Sequence, residues 1–131
     1  MIELSAIEVK FKRLMQGAKI PEYETKGAAG CDISIPLTRE MILFPFEVTS
    51  VSTGFAVQIP ENFEAQIRSR AGMARKGIVV ANAPATIDSE HTGEIKLLLL
   101  NVTDKPVKIY PDQKVAQMVL SPVIKASFVE E

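Results

Sequence analysis

The chain has 131 residues, 47% of them hydrophobic, with 15 basic and 16 acidic side chains and a formal net charge of −1 at pH 7. That length supports one domain with a real core, while the near-zero charge offers no general attraction to nucleic acid or to an anionic membrane, so any anion must be met locally. Cys31 is the single cysteine, which excludes an internal disulfide, and no charged-then-apolar leader stands near Met1, so a cytoplasmic, reducing setting is expected. Leu4 to Phe11 alternates well enough to predict a first strand, and Pro21 breaks any helix in the polar stretch Gly17–Lys26. Asp32–Pro36, Ile42–Phe44, Val48–Ser52, Phe55–Ile59 and Phe63–Arg68 follow as short β-prone runs punctuated by Pro45, Gly54 and Pro60. Met73–Lys76 hints at a helical turn. Ile78–Ala81 and Ile95–Val102 read as buried strands, and Val107–Tyr110 and Val115–Leu120 complete the series. The apolar block Leu97–Leu100 is far too short to cross a membrane.

Many short strands separated by turn signals predict an all-β sandwich, jelly roll or barrel. No repeat, low-complexity tract or linker divides residues 1–131, which are expected to form one domain.

Chemistry concentrates between Ala65 and Asn101. Arg68, Arg70, Arg75 and Lys76 surround Gly72 and Gly77, where backbone N–H groups can also face an anion, and this reads as a phosphate site. A solvated turn accounts equally well for Arg75 and Lys76. Asp88 stands in a turn between apolar runs, where a carboxylate can be presented to a bound water, although an Asp so placed more often caps its own backbone. On this reading the anion clamp and the base lie within one hairpin's reach. Asp32 either caps the Gly30 turn or serves a site. Asp88, Glu90 and His91 lack the spacing and the cysteines of a zinc site. Cys31 has no recognisable activating base and reads as a small core residue.

Four segments in order carry a family resemblance. GAAGCDISI at Gly27–Ile35, AQIRSRAGMA from Ala65, NAPATIDSEHTGEIK from Asn82 and PDQKVAQMV at Pro111–Val119 resemble successive motifs of the trimeric dUTP diphosphatases. The resemblance covers nearly the whole chain. It implies a distorted jelly roll assembled as a homotrimer with sites at subunit interfaces, hydrolysing dUTP to dUMP and pyrophosphate. Asp88 matches the aspartate that orients the water attacking the α-phosphorus. Arg70, Ala71 and Gly72 match the phosphate loop, Gln117 matches a glutamine on the phosphate side, and Lys114 stands where an arginine is usual. Asp32 matches an aspartate that reaches Mg²⁺ through water, and the ion itself fits a triphosphate, which supplies the oxygens that Mg²⁺ prefers. Asn82 matches the base of a uracil-reading hairpin in which backbone groups from Ala83 to Ile87, including Ala85, Thr86 and Ile87, imitate a pairing partner. His91 matches the residue beneath the deoxyribose.

Departures from the pattern are specific. Ala71 replaces a serine whose hydroxyl approaches the leaving pyrophosphate, His91 replaces a tyrosine, Ala85 replaces a glycine, and Cys31 replaces a tyrosine or similar residue. The sequence ends at SFVEE without the glycine-rich fifth motif that closes over the triphosphate, so a lower catalytic rate is expected. Two other readings follow. One is a dUTP-binding or regulatory relative with little catalysis. The other is a dCTP deaminase, against which Ala71 again lacks a needed serine and Leu98 stands in place of the catalytic glutamate.

Overall fold

A computed structural model describes residues 6–131. Along them run β1 (Lys10–Arg13), β2 (Cys31–Ser34), β3 (Met41–Leu43), β4 (Val48–Ser52), β5 (Phe55–Gln58) and β6 (Phe63–Ser69). There follow α1 (Ala71–Arg75), β7 (Ile78–Val80), β8 (Ala85–Ile87), β9 (Lys96–Asn101), β10 (Val107–Ile109) and β11 (Lys114–Pro122). The strands form antiparallel sheets in the orders β1-β5, β10-β3, β2-β11-β6-β8 and β4-β9-β7. This is an all-β architecture of the class that the turn spacing predicts, and it agrees with the jelly roll that the family resemblance implies.

Period-two alternation explains which side chains enter the core. Ala65 and Ile67 of β6 are buried while Arg68 between their row and Ser69 is exposed, and Leu97 and Leu99 of β9 are buried beside Ile78 and Val80 of β7. Phe55 is fully buried and its ring lies 5.1 Å from that of Phe11. Among the described residues, the two buried polar side chains are both satisfied. Thr53 Oγ donates to the Ile95 carbonyl at 2.6 Å, and Asn101 Nδ2 donates to the Leu43 and Lys105 carbonyls at 2.9 and 2.8 Å.

The helix is short because only Met73 anchors it. Arg70 sits at its N-cap with extended backbone and no side-chain cap, and Gly77, at φ +89°, ends it. A β-carbon at Gly77 would also lie 2.1 Å from Cγ2 of Thr103, so the chain passes there only as glycine.

Three expectations are revised. The first strand begins at Lys10, not before it; Ala6–Val9 carry no strand, and Leu4 and Ser5 lie outside the described residues. Ala85–Ile87 forms β8, which the sequence pattern did not mark, because its strand geometry comes from pairing with β6. Finally, β7 and β9 are buried on one face only. Val79, Leu98 and Leu100 are half-buried and Val48, opposite Leu100, is exposed, which leaves an apolar row uncovered on the outer face of the β4-β9-β7 sheet.

Candidate active site

Register brings the first part of the site together. Gln117 on β11 pairs with Asp32 on β2 and with Arg68 on β6, so these three side chains lie in one row on the outer face of the four-stranded sheet. Just past the end of β6, Arg70 turns back toward β2. Its Nε donates to Asp32 Oδ1 at 2.8 Å and its Nη1 to the Lys114 carbonyl at 3.3 Å, while Nη2 faces Glu24 Oε2 at 3.8 Å. The Asp32 side chain is only 8% exposed and is held from its other side by Lys114 Nζ, 3.4 Å from Oδ2.

Asp32, Arg70, Ala71, Gly72 and Gln117 line one cavity of about 380 Å³, to which Glu24, Thr25 and the turn Ala28 to Gly30 also contribute. Gly30 and Gln117 pack closely there. A β-carbon on Gly30 would lie 2.2 Å from Gln117 Oε1, whereas Gln117 Nε2 donates to the Ser69 carbonyl at 2.9 Å. The absence of a β-carbon at Gly30 therefore leaves the glutamine room to reach Ser69. The cavity presents an Arg N–H edge, the open backbone of Ala71 and Gly72, and a carboxylate neutralised by two cations, a combination suited to a phosphate chain.

Lys114 is not part of the cavity wall; its ammonium is turned to Asp32 and lines a separate hollow with Lys19 and Asp112. Arg75 and Lys76 are exposed on and after the helix and line neither hollow. Cys31 is buried, with Sγ donating to the Met118 carbonyl at 3.3 Å, and burial pushes its thiol pKa up, as expected of a core residue. No group of three potential metal ligands occurs among the described residues.

The second part lies elsewhere. Asn82 is an exposed turn residue, Ala85, Thr86 and Ile87 form β8, and Asp88 is an exposed residue in the following turn, its carbonyl accepting the His91 N–H at 3.0 Å. His91 is exposed and borders a groove shared with Lys10 and Lys12. In the sheet order β2-β11-β6-β8, Asp32 and Asp88 belong to opposite edges, three strand spacings or about 14 Å apart across the sheet alone. Asp88 follows Ile87, which pairs with Ala65, so along β6 it stands nearest Glu64, six residues or about 20 Å from Arg70, and within one chain the anion clamp and the base are not within a hairpin's reach, contrary to the reading of the sequence. Sequence reasoning also passed over Glu24, which approaches Arg70 across the cavity mouth, and Ser69. Glu24 belongs to no motif position, and Ser69, although it stands inside AQIRSRAGMA beside Arg70, was marked by neither charge nor a motif role.

Residues 16–131 match the family model described as dUTPase. The chain belongs to the dUTPase family. It is 46% identical over 120 residues to the deoxyuridine 5'-triphosphate nucleotidohydrolase of Hydrogenobaculum sp., covering 91% of this chain and 83% of that protein. The enzyme of the same name from Chlamydia pneumoniae is 44% identical, with the same coverage. Among solved structures, a mutant dUTPase of Staphylococcus bacteriophage 80alpha with dUpNHpp superposes at a TM-score of 0.84 and 22% identity, covering 96% of this chain and 89% of that one. A mutant dUTPase from phage phi11 of S. aureus, whose structure details the coordination of a structural Mg(II) ion, gives 0.83 at 22% identity, covering 95% and 97%. These structures speak to the fold, which is that of dUTPases. No helix among the described residues is long and apolar enough to cross a membrane.

Proposed function

We propose that this chain, read as one dUTPase-like domain over residues 1–131, is a dUTP diphosphatase that converts dUTP and water to dUMP and pyrophosphate. The observation that carries the reading is the Arg70–Asp32–Gln117 cavity, which supplies directed donors for a phosphate chain at the place where family membership expects them. Arg70 meets the phosphates through Nη2, because Nε and Nη1 are already engaged by Asp32 and Lys114; the backbone of Ala71 and Gly72 and the Gln117 side lie alongside. Asp88 holds the water and accepts its proton as the oxygen attacks the α-phosphorus. The bond to the bridging oxygen breaks, and pyrophosphate leaves with the electron pair. Asn82 and the backbone through Ala85, Thr86 and Ile87 read uracil, with His91 beside the sugar.

Mg²⁺ fits this donor set as an ion carried by the triphosphate rather than one caged by protein. Asp32 is already paired with Arg70 and Lys114, so it meets the ion through water, and Glu24 stands nearby. When bound, the ion offsets the charge of the phosphate oxygens.

Separation of the two parts on opposite sheet edges supports a homotrimer in which the cavity of one copy meets the hairpin of the next. The uncovered row of Val48, Leu98, Leu100 and Val79 supports the same assembly, as do Ile124 and Phe128, each 94% exposed on the segment after β11. A single buried free thiol fits a cytoplasmic location. The deciding assay is pyrophosphate release from dUTP with Mg²⁺, beside dCTP, UTP and dTTP, for wild type and Asp88→Asn. Release confined to dUTP and lost in the variant is expected; release from dCTP in preference, or none from any nucleotide, overturns the reading.

A further inference from the structure

Both stems of the Asn82 hairpin are held by one strand. On the β8 side, Ala85 pairs with Ile67 of β6 through the backbone. On the β7 side, the hairpin leaves the edge of the three-stranded sheet, and Ala81 still donates its N–H to the Leu98 carbonyl of β9 at 2.7 Å. Val80, one residue earlier, points its N–H the opposite way, toward the free edge, where β9 cannot reach it. Ser69 of β6 meets it there, its Oγ accepting the Val80 N–H at 2.9 Å. Residues 81–84 are all that bridges these two anchors.

The geometry points to Ser69 as a positioning residue for base recognition, which rests on Asn82–Ile87 being the base-reading segment. Its hydroxyl sets the spacing between the two stems and hence the direction in which the backbone groups between them point. Main-chain recognition depends on that spacing more than side-chain recognition does, since a displaced peptide carries its donor and acceptor with it. Ser69 also accepts Gln117 Nε2 on its carbonyl at 2.9 Å and is followed directly by Arg70, so the same residue ties the hairpin stem to the wall of the phosphate cavity. Ser69→Ala leaves the N–H of the buried Val80 without a partner, and the stem is then free to move toward water.

Ser69→Ala and Ser69→Thr are to be compared with wild type for dUTP turnover, for binding of dUMP and of inorganic pyrophosphate by calorimetry, and for thermal stability. The expected result is a KM for dUTP and a Kd for dUMP each raised about tenfold in Ser69→Ala, the size of one lost hydrogen bond. With it should come kcat within about twofold and unchanged pyrophosphate affinity, because the loss falls on binding shared by ground and transition states. Ser69→Thr, which keeps the hydroxyl, should restore both constants. A lowered Tm in Ser69→Ala with KM and dUMP affinity unchanged would overturn the assignment, as would equal weakening of dUMP and pyrophosphate. Should wild type bind dUMP without hydrolysing dUTP, the proposed activity fails while the dUMP comparison still decides the role of Ser69.

Discussion

Arg70 and Asp32, 38 positions apart in sequence, form a 2.8 Å ion pair through Nε and Oδ1 that fixes which edge of the guanidinium faces the cavity. Because the Asp32 side chain is largely shielded, this pair is less screened than a surface one, and it holds Arg70 against its other neighbour, Glu24, across 3.8 Å.

Arg70→Lys keeps the charge and loses the fork, so one ammonium cannot hold Asp32 and a phosphate in the same geometry. A fall in kcat/KM for dUTP of about a hundredfold is expected from steady-state kinetics. Activity within a factor of about three of wild type would show that position and not planarity matters.

The proposed homotrimer, in which Asp88 and Arg70 of one chain would serve different sites, makes a stricter prediction. Asp88→Asn and Arg70→Ala should each be inactive alone. After joint unfolding and refolding of an equal mixture, about a quarter of the sites should combine an intact cavity with an intact hairpin and recover activity. Absence of recovery, with mixed trimers confirmed by mass, would place both parts in one chain's site.

Gly30→Ala drives a β-carbon into Gln117 Oε1. The glutamine must swing away and give up the Ser69 carbonyl, so KM for dUTP should rise by about tenfold through one lost hydrogen bond. Gln117→Ala in the same background should then add little, a coupling read from a double-mutant cycle.

Ala71 lines the cavity and is exposed, leaving room for a hydroxyl. Ala71→Ser should raise kcat by about three- to tenfold if the added donor meets charge developing on the leaving pyrophosphate. A change confined to KM would mean that the hydroxyl binds the ground state equally well.

Burial raises the Cys31 thiol pKa above its ordinary value near 9, with the charge of Asp32 adding to the effect while hydrogen bonds, including one from Tyr23, oppose it. A group whose folded-state pKa exceeds its unfolded one gives its full stabilisation below the unfolded value and loses it as pH climbs through the folded one. Tm should therefore fall above about pH 9, and by less in Cys31→Ala. Alkylation of the native protein by iodoacetamide at pH 8 should be slow against a free thiol; fast labelling would contradict the burial of Cys31.

Several features were legible from sequence because they are local. Alternation of Phe63–Arg68, the run Val48–Ser52 and the breaks at Pro45, Gly54 and Pro60 specify strands and turns through the two-residue period of the pleat and the φ limits of Pro and Gly, and β4 spans the predicted residues. The Arg/Gly turn and the ordered motifs marked where chemistry concentrates.

Partner choice between strands was not legible, since an alternating run says which face is apolar but not which strand lies beside it. Only the tertiary structure set Asp32, Gln117 and Arg68 in one row, turned Lys114 to Asp32, put Ser69 against Val80, and left Leu98 and Leu100 half-exposed where an apolar run reads as buried. It also parted Asp88 from Arg70. Eighteen positions of sequence look close, but the connection crosses from one sheet to another and returns on the far edge of β6, and strand pairing, not contour length, fixes the distance between them.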